Sequence, residues 1–154
     1  EAALTAIRTR IKTKHRGLTF SVESGIMFIS LPSGRRLAYV QSSIGANRWG
    51  NPSINYWGVG ANKKWQVLET YGGKLVENIV QAITRDLLTH ALHTLDDAGH
   101  KIVMHVHDEA VIDEPYGSGA TVESVCTLMA TPPAWARGLP LDADGYECSF
   151  YMKD

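Results

Sequence analysis

The sequence predicts an α+β fold in which a long helix is combined with short antiparallel strands. Apolar and polar residues alternate in several short segments between residues 18 and 59, which is the pattern of half-buried strands. From residue 72 to residue 98 the apolar residues recur at helical spacing, and no proline interrupts them. The chain has 154 residues, 44% of them hydrophobic, so we expect one compact unit around one core.

The first part of the chain predicts a basic helix followed by a β-rich segment. Leu4, Ile7 and Ile11 lie at helical spacing within residues 2–14. After this helix, turn residues such as Gly25 separate the alternating segments. Antiparallel strands are predicted at residues 18–23, 26–31, 35–41 and 54–59.

The long predicted helix, residues 72–98, is followed by Gly99, a residue suited to the left-handed conformation that closes many helices. On a helical wheel, four cationic or amide side chains fall within a sector of about 60°. They are Lys74, Asn78, Gln81 and Arg85. Such side chains donate hydrogen bonds to phosphate oxygens and to minor-groove acceptors, although an ordinary solvated helix face has the same composition.

After the helix, two apolar, β-branched runs at residues 101–107 and 110–115 predict a hairpin. Its tip carries His107, Asp108 and Glu109, where carboxylates need not be buried. Mg²⁺ prefers oxygen ligands, usually one or two carboxylates together with substrate phosphates and water. The adjacent Asp and Glu therefore begin such a site without completing it.

The remaining residues predict a short amphipathic helix at 121–130 and a closing strand at 146–151 that joins the hairpin sheet. Cys126 and Cys148 are too few and too far apart for a disulfide framework, so we interpret them as reduced structural thiols. The chain has no apolar run of about 18 residues and no secretory signal at its start, so we expect a soluble, cytosolic protein.

Charge is strongly polarised along the chain. Residues 1–74 contain eleven Lys and Arg against three Glu, whereas the remaining 80 residues contain four Lys and Arg against thirteen Asp and Glu. A basic surface that grips a polyanion, beside carboxylates that hold divalent cations, requires such a division. Two solvated faces that happen to segregate would show the same division.

Three tryptophans lie close to cations in the basic half of the chain. The residues are Trp49, Trp57 and Trp65, with Arg48, Lys63 and Lys64. Such a set is suited to stacking on bases and gripping phosphates, but tryptophans more commonly fill cores or sheet edges.

These segments resemble family A DNA polymerases, in particular their bacteriophage or prophage branch. The run His107-Asp108-Glu109 between apolar strands looks like the palm hairpin of that family, and 72-GGKLVENIVQAITRDLL-88 looks like the palm helix before it. The segments 35-RRLAYV-40 and 138-GLPLDADGYECSFY-151 look like the phage branch. The resemblance covers nearly the whole chain from about Leu18 onward.

The resemblance implies template-directed nucleotidyl transfer by a two-metal mechanism with two Mg²⁺ ions, a DNA primer-template and deoxynucleoside triphosphates. Asp108 matches the second metal-binding aspartate of the family. Glu109 matches a supporting carboxylate near the metals, and His107 a contact to the primer terminus. Gln81 matches a residue that touches the minor groove near the primer end. The same surface extends, by position on the helix, to Lys74, Asn78 and Arg85.

The resemblance also implies that residues 1–71 belong to the fingers-to-palm region and residues 72–154 to the C-terminal part of the palm. Neither the family's first aspartate motif, of the DxSxxE type, nor its nucleotide-binding fingers helix is found in these residues. Both are expected upstream of Glu1, in the rest of the polymerase chain. We therefore expect the chain to be a C-terminal portion that does not polymerise alone, acting in the cytoplasm of a bacterial host without a membrane partner.

Two other interpretations compete with a polymerase. His105 and His107 share one face of a strand, as zinc ligands do in several hydrolases, but Asp108 follows His107 directly, so the HxHxD spacing is not met. We interpret His105 as a packed strand residue. A non-catalytic nucleic-acid-binding module, basic and β-rich, is the stronger alternative, and an Asp108→Ala substitution distinguishes it from an enzyme.

Overall fold

The computed structural model describes residues 1–47 and 49–151, and it has the predicted α+β class, with an antiparallel sheet and a long helix. The described residues form two compact units that divide between Ile83 and Thr84. The elements of the first unit are α1 (Ala2–Thr9), β1 (Thr13–His15), β2 (Leu18–Glu23), β3 (Ile26–Ser30), β4 (Arg36–Ala46), β5 (Pro52–Val59), β6 (Trp65–Thr70) and the first half of α2 (Gly72–Asp97). The second unit contains the rest of α2, then β7 (Ile102–Val106), β8 (Glu109–Ile112), α3 (Val122–Met129) and a 3₁₀ turn at Ala134–Ala136.

The first unit is built on a meander in which strands β1 to β6 each pair antiparallel with the next strand along the chain. The turn between β2 and β3 has Ser24 and Gly25 at φ 48° and 82°, and Glu23 pairs with Ile26. Positive φ at both central residues is the backbone of a type I′ turn, which matches the twist of the flanking strands. The predicted hairpin at this position is confirmed.

The core of the first unit lies between one face of the sheet and two helices, α1 and the first half of α2. The α1 residues Ala3, Ala6 and Ile7 recur at the three- and four-residue spacing that places them on one side of a helix. The buried residues are Ala3, Ala6 and Ile7 of α1, Phe20, Met27, Ile29, Leu31, Tyr39 and Ile54 of the sheet and its turns, and Leu75, Ile79 and Ala82 of α2.

Helix α1 is shorter than the predicted span of residues 2–14. Arg10 adopts the left-handed conformation, φ 61°, and its backbone N–H donates to the carbonyl oxygen of Ala6 at 3.0 Å, which closes the helix. The chain then turns into β1, where Thr13 pairs with Phe20 of β2. Tertiary pairing with β2 thus overrides the local helical spacing of Ile11, which is 67% exposed.

Strand β6 is absent from the predicted strands. Its apolar residues fall on both faces, because the exposed Trp65 and Val67 alternate with the half-buried Gln66 and Leu68. β4 also runs five residues past its predicted end, through a bulge between Val40 and Ser43. A bulge adds an unpaired residue that alternation alone does not predict.

In the second unit, α2 ends as predicted at Gly99, with φ 91°. The Gly99 N–H donates to Asp96 O at 2.9 Å and the His100 N–H donates to Leu95 O at 3.0 Å, the paired bonds of a Schellman cap. α3 begins with a capping box, in which Thr121 and Ser124 exchange side-chain to backbone hydrogen bonds at 3.0 and 3.1 Å.

The predicted closing strand at residues 146–151 is wrong: this segment forms no strand, and β7 and β8 make a two-stranded sheet. Just before it, the carboxylates of Asp142 and Asp144 accept hydrogen bonds from the N–H groups of Ala143 and Gly145 at 3.0 and 2.8 Å. Local bonds of this kind satisfy the backbone without a ladder. Cys126 and Cys148 are free thiols. None of the helices in the described residues is both long and apolar enough to cross a membrane.

Candidate catalytic hairpin and helix face

The β7–β8 hairpin places His107 and Asp108 at the two central positions of its turn, because Val106 pairs with Glu109. His107 has φ 54°, whereas Asp108 does not have a positive φ. A positive φ at the first central residue alone is the sign pattern of a type II′ turn, where glycine is usual. A histidine in this conformation stores backbone strain, and such strain clusters at functional sites.

The open end of the hairpin is braced by side chains from both strands' flanks. His100 Nδ1 lies 2.6 Å from Glu114 Oε1, and Lys101 Nζ donates to Asp113 Oδ2 at 2.8 Å. The hydrogen bond to the Asp113 carboxylate raises the pKa of Lys101. The Asp113 N–H also donates to the Lys101 carbonyl oxygen at 2.9 Å. These bonds anchor both strands, so the tip is held at the end of a two-stranded ladder.

At the tip, His107, Asp108 and Glu109 are all exposed. Two adjacent carboxylates fit the one or two that Mg²⁺ takes from a protein when phosphates and water complete its shell. Nowhere in residues 1–47 and 49–151 do three or more His, Cys, Asp or Glu side chains gather to hold a metal ion. The tip thus presents two exposed carboxylates, and the described residues do not form a complete metal site. His105, interpreted from the sequence as packed, is exposed.

On helix α2 the four polar residues of the predicted face differ in their surroundings. Lys74, Gln81 and Arg85 are exposed, whereas Asn78 is half-buried. The Asn78 Nδ2 donates to the Tyr39 hydroxyl oxygen at 3.1 Å. Thus three of the side chains are presented to solvent, while Asn78 ties the helix to the sheet.

Tyr39 is the sheet residue that accepts this hydrogen bond from α2. It is 4% exposed, and its ring meets that of Tyr56 edge-on, with centroids 5.0 Å apart and planes at 79°. Burial raises the pKa of the Tyr39 hydroxyl, and the hydrogen bond from Asn78 partly opposes this. A second hydrogen bond between the sheet and α2 lies at the neighbouring turn, where the Arg35 Nη2 donates to the Ala82 carbonyl oxygen at 2.6 Å.

Gln81 lies at the edge of a shallow cleft of about 370 Å³ between the sheet and α2. The cleft is lined by Leu37, Ala38, Tyr39, Tyr56, Asn78 and Gln81. Gln81 therefore combines exposure with a partly aromatic wall beside it. Arg35 and Tyr39 lie in the segment 35-RRLAYV-40 that resembles the phage branch, but their contacts with α2 were not predicted, because they join residues 47 and 39 positions apart in the sequence.

Comparison with known proteins gives one informative similarity. No protein-family model matches the chain, and no solved structure matches it. A DNA polymerase of Bacillus phage SP02 is 51% identical over 156 residues, an alignment that covers 99% of this chain. The chain spans 24% of the length of that phage protein. It is thus similar, along nearly its whole length, to about one quarter of a phage DNA polymerase.

Proposed function

We propose that this chain is the C-terminal portion of a family A DNA polymerase that performs template-directed nucleotidyl transfer on a DNA primer-template with deoxynucleoside triphosphates. The observation that carries the proposal is the His107-Asp108-Glu109 run at the tip of a hairpin, within a chain 51% identical to part of a phage DNA polymerase. The enzyme class is supported by the phage relative, which is a DNA polymerase. The exposed carboxylates supply the chemistry that the class requires.

We assign Asp108 as a metal-binding carboxylate and Glu109 as its neighbour in the same site. In the complete site two Mg²⁺ ions supply Lewis acidity and stabilise charge on the transferred phosphoryl group. The residues of this chain hold the metal ions and orient the primer. Asp108 and Glu109 present oxygen ligands at the hairpin tip, and His107 donates a hydrogen bond to the primer terminus.

DNA contact we assign to the exposed residues of α2. Gln81 donates its amide to minor-groove acceptors near the primer end, while Lys74 and Arg85 meet phosphates. Asn78 contributes by fixing the helix through Tyr39, since its Nδ2 is already bonded there. The excess of positive charge in residues 1–74 supports a DNA-facing role for the first part of the chain.

Residues 1–71 then belong to the fingers-to-palm region and residues 72–154 to the palm. We further propose that the first catalytic aspartate and the nucleotide-binding fingers helix come from the rest of the polymerase chain, so that the two-metal site is completed only in the longer protein. The phage relative is about four times as long as this chain, which supports such a division. An enzyme of this kind acts in the cytoplasm of the bacterial host.

Primer extension tests the proposal. Protein expressed from the complete reading frame is given primer-template, deoxynucleotides and Mg²⁺, and Asp108→Ala is compared with wild type. Because Asp108 stabilises charge at the reacting phosphate, the substitution is expected to reduce the extension rate by at least about 100-fold. A matched control is Asp97→Ala, which removes an exposed carboxylate at the end of α2, outside the hairpin, and should retain most activity. Equal extension by Asp108→Ala and wild type would refute the assignment.

A non-catalytic nucleic-acid-binding module remains the second candidate, and the basic first half of the chain favours it. In that case Asp108→Ala leaves nucleic-acid affinity unchanged, or raises it by removing a negative charge, and the longer protein shows no extension at all. The same set of variants therefore separates the two functions.

A further inference from the structure

The β5–β6 hairpin carries an exposed apolar face that the proposed catalytic site does not use. Trp57 pairs with Val67, and Val59 pairs with Trp65, so the four side chains share one face of the two strands. Their exposed fractions are 36% for Trp57, 63% for Val59, 58% for Trp65 and 53% for Val67. Large apolar side chains that are exposed next to one another commonly mark a binding surface. We call these four residues the hairpin face.

Opposite the hairpin face, the strands meet the core. Tyr56 and Leu68, which alternate with the exposed residues, are half-buried, and the neighbouring Ile54 is 2% exposed. The two tryptophans therefore lie on the solvent face of strands whose opposite face packs toward the core. Neither indole stacks on another ring within residues 1–47 and 49–151.

Two cations stand at the tip of this hairpin, next to Trp65. Lys63 and Lys64 are exposed, and no ion pair engages either of them in the described part of the chain. Their backbone is held by a tight turn in which the Lys63 N–H donates to Gly60 O at 2.9 Å and the Gly60 N–H donates to Lys64 O at 3.0 Å. Asn62 Oδ1 accepts from the Lys64 N–H at 3.0 Å. The positive charge is thus placed at the end of the apolar face.

We propose that the hairpin face binds a single-stranded polynucleotide, with bases stacked on Trp57 and Trp65 and backbone phosphates held by Lys63 and Lys64. A single strand is the occupant that matches both features, because it offers flat π faces and regularly spaced negative charge together. Duplex DNA keeps its base faces stacked on each other, and a purely apolar protein partner leaves the two lysines unmatched. In their register Trp57 and Trp65 are diagonal neighbours, about 7–8 Å apart, which is close enough for one strand to reach both rings.

This surface goes beyond the proposed catalytic function, because none of its residues belongs to the tip of the β7–β8 hairpin or to the polar face of α2. Under that function the strand it holds is unpaired DNA of the primer-template. Binding by the hairpin face does not require Asp108, so failure of one proposal does not entail failure of the other.

The test is equilibrium binding of fluorescein-labelled oligothymidine of about 16 nucleotides, measured by anisotropy with protein from the complete reading frame. Trp65→Ala and Trp57→Ala are each expected to raise Kd by about 5- to 150-fold, whereas Trp65→Phe, which keeps an aromatic face, recovers much of the loss. Changing Lys63 and Lys64 together to Gln is expected to lower the slope of log K against log salt by about 1.4. Tyr116→Ala, at a fully exposed aromatic residue in the other unit, is the matched control and should leave Kd unchanged.

Three results overturn the proposal. Unchanged Kd in both tryptophan variants shows that bases do not stack there. Acrylamide quenching that is the same in wild type and in a Trp57→Phe, Trp65→Phe double variant shows that other parts of the polymerase cover the face. Sedimentation that shows self-association abolished by Trp65→Ala assigns the face to a second copy of the chain. Addition of a single nucleotide to a primer, on a template with a one-base overhang, reports separately on the catalytic proposal, and the tryptophan variants should retain it.

Discussion

The conformation of His107 is the most unusual feature of the candidate catalytic hairpin. A non-glycine residue in the left-handed region costs roughly 1–2 kcal/mol, and His107 occupies that region at φ 54° in the first position of a two-residue turn. Glycine satisfies that backbone without strain, and five other non-glycine residues of the described chain also have a positive φ, so the strain by itself assigns no function to His107. Under the proposed function, contact of the imidazole with the primer terminus is what the histidine contributes beside Asp108 and Glu109.

Substitution of His107 separates its backbone from its side chain. His107→Gly relieves the left-handed strain and His107→Ala does not, so the glycine variant should be about 1 kcal/mol more stable than the alanine variant by urea denaturation. Both variants should extend primers slowly if the imidazole contacts the primer terminus. Wild-type extension by His107→Gly would mean that the imidazole has no role and that only the turn matters.

At the scale of elements, two hydrogen bonds join the meander to α2. Asn78 donates to the hydroxyl of Tyr39, and Arg35 donates to the carbonyl oxygen of Ala82. Both lie within the first compact unit, and they fix the part of α2 that carries Gln81. A half-buried amide bonded to a buried hydroxyl is costly to break, because the partner left behind is desolvated and unpaired. The position of the polar helix face thus depends on the sheet.

The buried Tyr39 predicts a loss of stability in alkali. Burial raises its pKa above the ordinary value of about 10, so the unfolded chain loses this proton at a lower pH than the folded chain. As pH rises past the unfolded value, the free energy of unfolding therefore decreases, by up to about 1.4 kcal/mol per pH unit. Urea denaturation between about pH 8 and pH 11 should show a steeper decrease for wild type than for Tyr39→Phe.

Lys101 also has a raised pKa, so the stability that it contributes is lost at high pH as well. This loss is present in wild type and in Tyr39→Phe alike, and it cancels when the two slopes are subtracted. Identical slopes for the two proteins would show that the ionisation of Tyr39 is not linked to folding.

The elements that alternation or helical spacing predicts are those whose buried face is continuous in sequence. β2, β3 and α2 begin and end within a residue or two of their predicted bounds, and the tip at residues 107–109 lies where the hairpin pattern predicts. β6, the β4 bulge and the absence of a closing strand are not predicted, because each depends on partners elsewhere in the chain. The Asn78 to Tyr39 bond spans 39 residues, a separation at which local pattern carries no information.

At the scale of the whole molecule, the two compact units differ in how much they bury. The first encloses a core between sheet and helices, whereas in the second the apolar side chains that are buried among the described residues are Leu88, Ala91, Leu95 and Pro133. α3 has no buried residue, and large apolar groups such as Val103 and Phe150 are 51% and 70% exposed. A unit with so small a core is expected to pack against further structure. Under the proposed function, that structure is the remainder of the polymerase.

The same reasoning predicts that the 154-residue chain expressed alone does not extend primers. It supplies Asp108 and Glu109, whereas two-metal catalysis requires ligands that the proposal places in the rest of the polymerase. Because two exposed carboxylates lack the substrate phosphates and further ligands that complete an Mg²⁺ shell, isothermal titration calorimetry should show no tight, saturable Mg²⁺ binding to the chain alone. Protein from the complete reading frame, assayed in parallel, should extend primers. Extension by the 154-residue chain at a comparable rate would place a complete active site within these residues and overturn the division proposed for the enzyme.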